Sequence, residues 1–202
     1  MTSNSADIPT HLMDYIVTGG FPSRDQKLAE LASDLMSAAY LRGDFVLSSG
    51  VRSQYYVDKY LFETKPGILR RVAAFMAEML PSHTDRLAGP ELGAVALTTA
   101  VSLETGIPFS IVKKHSKDYA TRKMIEGELY SDDKVVVIED ILTTGRAAIQ
   151  AANQVRQMGA HVLKIIAVID REQGAPQNIA SAGYKPESLF RRRDLRIGED
   201  VS

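Results

Sequence analysis

Two runs rich in β-branched apolar residues constrain the fold of this chain more than any other feature. Residues 134–140 read KVVVIED, and residues 161–170 read HVLKIIAVID. Such runs, without alternating polar residues, are typical of strands buried on both faces of a parallel sheet. The segment between them predicts a helix over residues 146–158 that ends at Gly159. A strand, a helix and a strand in this order predict a right-handed crossover and a doubly wound α/β fold.

Earlier segments supply more elements of the same kind. Pro66 suits the first turn of a helix that runs to residue 80. Residues 86–89 and 109–113 are predicted strands, and residues 91–105 form the predicted helix between them. We therefore expect a mainly parallel sheet flanked by helices.

The N-terminal part predicts a helix followed by a hairpin. Ser23 and Gln26 have the spacing of a capping box, and Gly43 offers a helix stop. Four apolar residues of this helix fall on one face: Leu28, Leu31, Leu35 and Ala38. The sequences FVLSSG and QYYVD read as two short strands around a turn. Residues 21–62 are thus expected to form this helix and a small hood.

Length and charge limit the classes of protein that fit. The 202 residues, 45% apolar, are compatible with a single domain over residues 1–202. A net charge of −1 provides no overall field for nucleic acid or a membrane. Residues 1–20 look like an N-terminal arm without a leader pattern, and residues 191–202 look like a solvated charged tail. The chain has no cysteine, which excludes disulfides, and a cytoplasmic location is expected.

An acidic pair followed by a hydroxyl-rich loop is the strongest chemical motif. Glu139 and Asp140 are expected at the tip of a strand, and the loop after them ends in Thr143-Thr144-Gly145 before a helix. Ligands of such folds bind beyond the carboxyl ends of the strands, and a helix N-terminus binds phosphate. Carboxylates repel a bare phosphate, whereas a ribose 5-phosphate offers hydroxyls to the acids and a phosphate to the loop. In isolation, an N-capping acid before an ordinary loop would look similar.

The run VVVIEDILTTG resembles the phosphoribosyl pyrophosphate signature of type I phosphoribosyltransferases. No Walker A and no G-x-G-x-x-G pattern is present in the sequence. Arg146 and Ala147 replace the Gly-Ser pair of many members, and Arg146 could either strengthen or crowd the phosphate contact. The resemblance implies donor contacts at nine positions: Glu139, Asp140, Ile141, Leu142, Thr143, Thr144, Gly145, Arg146 and Ala147.

Further segments, from about residue 45 to about residue 174, resemble the orotate branch of that family. FVLSSGVRSQYYVDKYLFET is similar to its hood and implies that Tyr56 and Val57 neighbour orotate. Ser48 and Val51 stand where many members have Lys and Arg. The pyrophosphate loop of the family corresponds to Gly89, Pro90, Glu91, Leu92 and Gly93. Some members have Lys instead of Gly at position 93.

The charged segment IVKKHSKDYATRKMIEG resembles the mobile loop that closes over the pyrophosphate. From composition alone it would be a solvated basic loop. The resemblance implies donor contacts at Lys113, Lys114, Lys117 and Tyr119, and catalytic roles at Lys114, Lys117 and Asp118. Tyr119 stands where some members have His.

Arg171 matches the arginine that holds the orotate carboxylate in this family, and Thr143 would add a hydroxyl to the same substrate. A guanidinium suits a carboxylate because it donates two parallel hydrogen bonds. Without the other motifs, Arg171 could be a surface partner of Asp170 or Glu172. The resemblance implies phosphoribosyl transfer to orotate, Mg²⁺ carried mainly by the donor without direct protein ligands, and a homodimer that shares the mobile loop.

Two other functions are compatible with the donor signature. A type I phosphoribosyltransferase for another base would keep the signature but would not need Arg171. A non-catalytic sensor of phosphoribosyl pyrophosphate that regulates transcription would add a basic nucleic-acid surface. The one candidate for that surface is the group Arg191, Arg192, Arg193 and Arg196, which is interleaved with acidic residues. No nucleic-acid or membrane partner is expected.

Overall fold

A computed structural model describes residues 22–46, 52–114 and 124–197. The strands are β1 (Tyr40–Val46), β2 (Arg52–Val57), β3 (Arg86–Pro90), β4 (Phe109–Val112), β5 (Ile125–Glu126), β6 (Lys134–Leu142), β7 (His161–Asp170) and β8 (Pro186–Arg191). The helices are α1 (Arg24–Ala39), α2 (Lys59–Glu63), α3 (Pro66–Glu78), α4 (Gly93–Thr105), α5 (Arg146–Gln157) and α6 (Ala175–Ser181).

The main sheet has the strand order β5-β4-β3-β6-β7-β8. Neighbouring strands are parallel except for β5, which is antiparallel to β4. The longest pairing joins β6 to β7, the two β-branched runs, and extends from Lys134 to Leu142. Because β3, β4, β6 and β7 are parallel, their carboxyl ends meet at one edge of the sheet, which positions the loops that follow them.

Alternate residues of β6 face opposite layers of helices. Val136 and Ile138 pack in a cluster with α1, α3 and α4, whereas Val135 and Val137 pack in a second cluster with α5 and α6. All four side chains are fully buried. The doubly wound, mainly parallel α/β fold is therefore confirmed, with apolar layers on both faces of the sheet.

The hood is a two-stranded antiparallel sheet of β1 and β2 that follows α1 directly. The capping box is present, since Ser23 accepts from the Gln26 N–H and the Gln26 side chain accepts from the Ser23 N–H. The expected stop at Gly43 is wrong, because the helix ends at Ala39 and Tyr40 already pairs with Val57 in the hairpin. Gly43 lies instead at an irregularity of β1, between Arg42 and Phe45.

Four short elements escaped the sequence analysis: α2, β5, α6 and β8. The prediction of a solvated tail from residue 191 is also wrong for its described part. Arg191 ends β8, and the turns after it place Leu195 and Ile197 in the same apolar cluster as the buried residues of α1, α3 and α4. The Arg192 Nε donates to the carbonyl of Ile197 at 2.9 Å, which holds this turn in place.

Several expectations fall outside the described residues. These are the N-terminal arm, the hood turn with Ser48 and Val51, and the part of the basic loop that holds Lys117, Asp118 and Tyr119. None of the helices in the described ranges combines the length and apolar character that a bilayer span requires.

Replacement of Ile197 tests whether the segment after β8 belongs to the core. Ile197 is 1% exposed, and we expect Ile197→Ala to lower the free energy of unfolding by about 2–4 kcal/mol, as for other buried truncations. Urea titration monitored by circular dichroism measures this. Arg196→Ala, at the exposed neighbour, is the control and should change stability by less than about 0.5 kcal/mol. Equal effects of the two variants would contradict the buried position.

Candidate active site

The acidic pair lies inside β6 rather than at its tip. Ile141 and Leu142 continue the ladder with Ile169 and Asp170 of β7, so the strand ends two residues later than expected. Glu139 is 7% exposed and Asp140 is 2% exposed. Two neighbouring carboxylates in such a position need compensation by positive charge or by protons, because burial disfavours ionised groups.

Lys59 of α2 supplies the positive charge. Its Nζ donates to the Oδ2 of Asp140 at 2.5 Å, and the Oδ1 of Asp140 accepts from the Ile141 N–H. Burial opposes the charge of Lys59, but the attraction and hydrogen bond of Asp140 outweigh it and raise the pKa of Lys59. The buried carboxylate of Asp140 is thus compensated by an ion pair with Lys59.

Gly93, the first residue of α4, leaves the space that this ion pair occupies. A Cβ atom on Gly93 would lie 2.0 Å from the Oδ2 of Asp140 and 2.2 Å from the Nζ of Lys59. A side chain at position 93 would therefore require the carboxylate and the ammonium to move from these positions. The residue that closes the predicted pyrophosphate loop thus lies directly beside Asp140 and its lysine.

Two buried carboxyl groups near the ion pair of Lys59 and Asp140 hold protons more firmly than usual. Burial and the charge of Asp140 raise the pKa of Glu63 to about 8, although Lys59 acts in the opposite direction. Burial, followed by the charge of Asp140, also raises the pKa of Glu139 well above its ordinary range. Within the described residues, the Oε1 of Glu63 is buried and has no hydrogen-bond partner.

The loop after β6 forms a cradle at the start of α5. A cavity of about 250 Å³ is lined by Glu139, Ile141, Leu142, Thr143, Thr144, Gly145, Arg146, Ala147, Ala148 and Gln150. Gly145 has a φ of 78°, and no side chain caps the helix, so the N–H groups of its first turn face the cavity without intrahelical partners. A Cβ atom on Gly145 would lie 2.9 Å from Ile179 of α6, which leaves glycine as the fitting residue. This geometry suits a phosphate.

The hood faces the same loop across a cleft of about 950 Å³. Its lining residues are Leu41, Phe45, Val46, Tyr56, Asp58, Thr143, Thr144, Arg146, Arg171 and Gln173. Three predicted orotate contacts, Thr143, Arg171 and Tyr56, are therefore brought to one cleft. The fourth is not, since the side chain of Val57 points into the core and is 5% exposed. Residues of a strand alternate between its faces, so the neighbours Tyr56 and Val57 cannot both face the cleft.

Arg171 is buried directly after β7, and its guanidinium contacts Tyr55 of the hood. Its Nη2 lies 3.5 Å from the hydroxyl of Tyr55, and its guanidinium stands 5.7 Å from the centre of that ring. Tyr55 stacks in turn on Tyr40, with ring centres 5.7 Å apart. Among the described residues, the Arg171 Nε is buried without a hydrogen-bond acceptor. A buried, unpaired donor at a cleft wall favours an anionic ligand.

The pyrophosphate-loop segment connects β3 to α4 and contacts the start of the basic segment. The Glu91 N–H donates to the carbonyl of Val112, and the Lys114 N–H donates to the Oε1 of Glu91. The Lys113 ammonium, however, pairs with Glu126 of β5 at 2.8 Å. The structure thus brings Lys114 to the loop over residues 89–93, whereas it directs the side chain of Lys113 elsewhere.

The sequence of the chain is similar to those of known proteins. Residues 62–182 match the family model of the phosphoribosyl transferase domain. The orotate phosphoribosyltransferase of Natronomonas pharaonis is 44% identical over 171 residues, which cover 85% of this chain and 96% of that protein. The orotate phosphoribosyltransferase of Pyrococcus horikoshii is 47% identical over 146 residues, which cover 71% and 78%. The chain belongs to the orotate phosphoribosyltransferase family.

Solved structures of this family have the same fold. The orotate phosphoribosyltransferase of Mycobacterium tuberculosis in complex with 5-phospho-alpha-D-ribosyl 1-diphosphate superimposes with a TM-score of 0.73 at 29% identity, covering 85% of this chain and 99% of the other. The enzyme of Aeropyrum pernix gives a TM-score of 0.73 at 27% identity, covering 82% and 95%. As a member of the orotate phosphoribosyltransferase family, the chain is a phosphoribosyltransferase.

The sequence analysis missed three residues of the site: Lys59, Glu63 and Tyr55. Lys59 and Glu63 are four residues apart, a spacing that in a sequence looks like a solvated ion pair on a helix surface. Tyr55 belongs to the tyrosine pair of β2, of which only Tyr56 was assigned. The signal that could have found all three was their place in the expected hood, because Tyr55 lies in its second predicted strand and Lys59 and Glu63 follow that strand directly.

The proton on Glu63 makes a prediction about pH. Its ordinary pKa of 4.5 is raised to about 8 in the folded chain. Between these values only the folded state keeps the proton, so stability falls as pH rises through this window. Glu63→Gln cannot ionise, so its stability should not fall in this way. We expect the free energy of unfolding of Glu63→Gln, relative to that of the wild type, to increase by on the order of 2–4 kcal/mol from pH 5 to pH 8.

Urea unfolding at several pH values measures this gain. Glu30→Gln, at an exposed position of α1, is the matched control and should follow the wild type at every pH. If the difference between Glu63→Gln and the wild type does not change with pH, the carboxyl of Glu63 titrates normally and the prediction is wrong.

Proposed function

We propose that this chain transfers the 5-phosphoribosyl group of phosphoribosyl pyrophosphate to orotate, giving orotidine 5'-phosphate and pyrophosphate in pyrimidine biosynthesis. The main support is the cleft that Arg171 and Thr143 line together beside the phosphate cradle, where the Nε of Arg171 is buried without a partner among the described residues. An aromatic acid with a carboxylate substituent fits such a wall, because the guanidinium can bind both carboxylate oxygens.

The donor would lie along the loop after β6. Its 5-phosphate would bind the cradle of Thr143, Thr144, Gly145 and the first N–H groups of α5, with Arg146 as an added cation at the cradle wall. The ribose hydroxyls would reach Glu139 and Asp140, while Ile141 and Leu142, the last residues of β6, connect the acidic pair to the cradle. Arg146 also lines the hood cleft, so it would border both substrates.

The acceptor would lie between the hood and the end of β7. Arg171 would hold the orotate carboxylate, Thr143 would donate its hydroxyl, and Tyr56 would cover the ring from the hood. The ring nitrogen of orotate then attacks C1 of the ribose as the bond to pyrophosphate breaks, and the electron pair of that bond leaves on pyrophosphate. Fixed positions of both partners supply much of the acceleration.

The leaving pyrophosphate would be held by the loop 89–93 and by the basic segment. Lys114, Lys117 and Asp118 would act on it as the segment closes, with Tyr119 as a further donor contact. Lys113 would join them only when its ammonium leaves Glu126. Magnesium would fit this site as a companion of the donor: the oxygens of the pyrophosphate and the ribose would carry it without direct protein ligands, and Glu139 and Asp140 would act mainly by orienting the ribose hydroxyls. When bound, it neutralises charge on the pyrophosphate.

Loss of orotate absorbance tests this function. We expect purified protein with phosphoribosyl pyrophosphate and Mg²⁺ to consume orotate but neither uracil nor adenine. Arg171→Ala should lower kcat/KM for orotate by about 100-fold or more, since a desolvated charge pair is lost. Arg171→Lys should recover part of this loss, and Arg70→Ala, at an exposed position of α3, is the control.

The other outcomes of this assay distinguish the alternatives. Turnover with a different base and no dependence on Arg171 would indicate a phosphoribosyltransferase of another specificity. Donor binding without turnover of any base would indicate a sensor of phosphoribosyl pyrophosphate.

The proposal includes a cytoplasmic homodimer in which the basic segment acts on the neighbouring subunit. One face of α4 and its N-cap supports an interface, because Leu92, Ala96 and Leu103 are exposed there at helical spacing, with the half-buried Thr99 between them. Leu103 is 82% exposed and Leu92 is 69% exposed. Exposed apolar faces of this kind are common at sites of association.

Mixed dimers test action in trans. Lys117→Ala and Arg171→Ala should each be inactive alone, but a mixture that has exchanged subunits should regain activity. In a hybrid, the subunit with an intact Arg171 receives an intact loop from its neighbour. A mixture of Lys117→Ala with a Lys117→Ala/Arg171→Ala double variant is the control and should stay inactive. Failure of the first mixture to regain activity, with subunit exchange shown by a tagged chain, would contradict trans action.

A further inference from the structure

Lys59 occupies the junction of two parts of the site. Its Nζ is bonded to Asp140, the acid assigned to the ribose hydroxyls, at 2.5 Å. The same Nζ would lie 2.2 Å from a Cβ atom on Gly93, the last residue of the loop assigned to pyrophosphate. An ammonium group at this point lies between the place of the ribose and the place of the leaving group.

Its hydrogen-bonding capacity is only partly used. An ammonium group has three donors, and the described residues accept one bond from Lys59, at Asp140. The side chain of Lys59 is 30% exposed, whereas that of Asp140 is 3% exposed, so the lysine forms the solvent side of the pair. An anion that enters the loop 89–93 would therefore meet the ammonium before it meets the carboxylate.

Glu63, one helical turn after Lys59 in α2, provides a second acceptor in the same region. The residue is only 3% exposed, and its Oε1 is buried without a hydrogen-bond partner among the described residues. The charge of Lys59 acts on Glu63, as does that of Asp140. A lysine that leaves Asp140 therefore still has a buried hydrogen-bond acceptor nearby, the Oε1 of Glu63.

We propose that Lys59 is a pyrophosphate-binding residue: it neutralises Asp140 in the empty site and turns to the pyrophosphate of the donor when the ribose hydroxyls take over Asp140. This inference rests on the proposed function, because it assumes that a phosphoribosyl pyrophosphate occupies the site. Gly93 is small because the mobile ammonium of Lys59 uses the space at the start of α4. The loop 89–93 thereby obtains from α2 a cation that its own sequence lacks.

The lysine would act most strongly late in the reaction. As the bond from C1 to the pyrophosphate oxygen breaks, negative charge grows on that oxygen, and an ammonium group already within reach stabilises it. The proton stays on Lys59 throughout, so no transfer to the leaving group is required.

Binding of inorganic pyrophosphate in the presence of MgCl₂ tests the proposal directly. This probe has no ribose, so it does not require Asp140. In isothermal titration calorimetry, Lys59→Met should weaken pyrophosphate binding by about tenfold or more, as expected for the loss of a charge-assisted hydrogen bond. Lys59→Arg should retain most of the affinity. Lys65→Met, which removes an exposed lysine just after α2, is the matched control and should bind like the wild type.

A pair of variants separates direct binding from mere neutralisation of Asp140. Asp140→Asn should bind pyrophosphate at least as tightly as the wild type, because it releases the ammonium. Lys59→Met/Asp140→Asn, which leaves no uncompensated charge, should bind at least tenfold more weakly than Asp140→Asn. Equal affinity of these two variants would mean that Lys59 serves only to neutralise Asp140, and the proposal would fall.

Kinetics with the full reaction supply the last distinction. Lys59→Met should raise KM for phosphoribosyl pyrophosphate and lower kcat, while KM for orotate stays within about twofold. An equal rise of both KM values would indicate a disturbed fold and overturn the assignment. If the wild type converts orotate but Lys59→Met binds pyrophosphate normally, this inference alone is wrong. If the wild type binds no pyrophosphate, the loop 89–93 loses its assignment and the inference falls with it.

Discussion

The burial of two adjacent carboxyl groups within β6 is the constraint on which the active site depends. Glu139 and Asp140 sit in a strand that is paired on both sides and covered on both faces, where an uncompensated charge would be very unfavourable. The surrounding structure meets this constraint in two ways. Lys59 compensates Asp140, and a raised pKa allows Glu139 to hold a proton. A ligand with hydroxyl groups and an accompanying cation can replace both the ion pair of Asp140 and the proton of Glu139. The acidic pair is therefore suited to bind a sugar.

The position of the hood follows from the same region of the chain. α2 begins immediately after β2, so the strand that covers the cleft and the helix that delivers Lys59 are joined by Asp58 alone. Asp58 caps α2 by accepting from the Tyr60 N–H at 3.0 Å. Tyr55 and Tyr56 then serve different partners, because alternate residues of β2 face opposite sides: Tyr55 meets Arg171, and Tyr56 meets the cleft. One continuous segment therefore contributes residues to both the acceptor side and the donor side of the active site.

Sequence reasoning could predict the sheet because β-branched runs and helical periodicity are local signals. It could also bring the acidic pair, the Thr-Gly loop and Arg171 together, because parallel strands end at one edge. It could not predict α2 or β5, which are too short to show a period, or β8, whose half-buried residues resemble a loop. Lys59 and Tyr55 were missed because their partners Asp140 and Arg171 lie 81 and 116 positions away, and contacts at such separations depend on tertiary packing.

The space at Gly93 has a consequence for how sequences of this family can vary. The ammonium of Lys59 and the carboxylate of Asp140 fill the volume in which any side chain at position 93 would begin. A larger residue at position 93 would displace the ammonium of Lys59 and the carboxylate of Asp140 from their present positions. The residues at positions 59 and 93, although 34 residues apart, are therefore coupled, and an alignment of relatives should show the two positions co-varying.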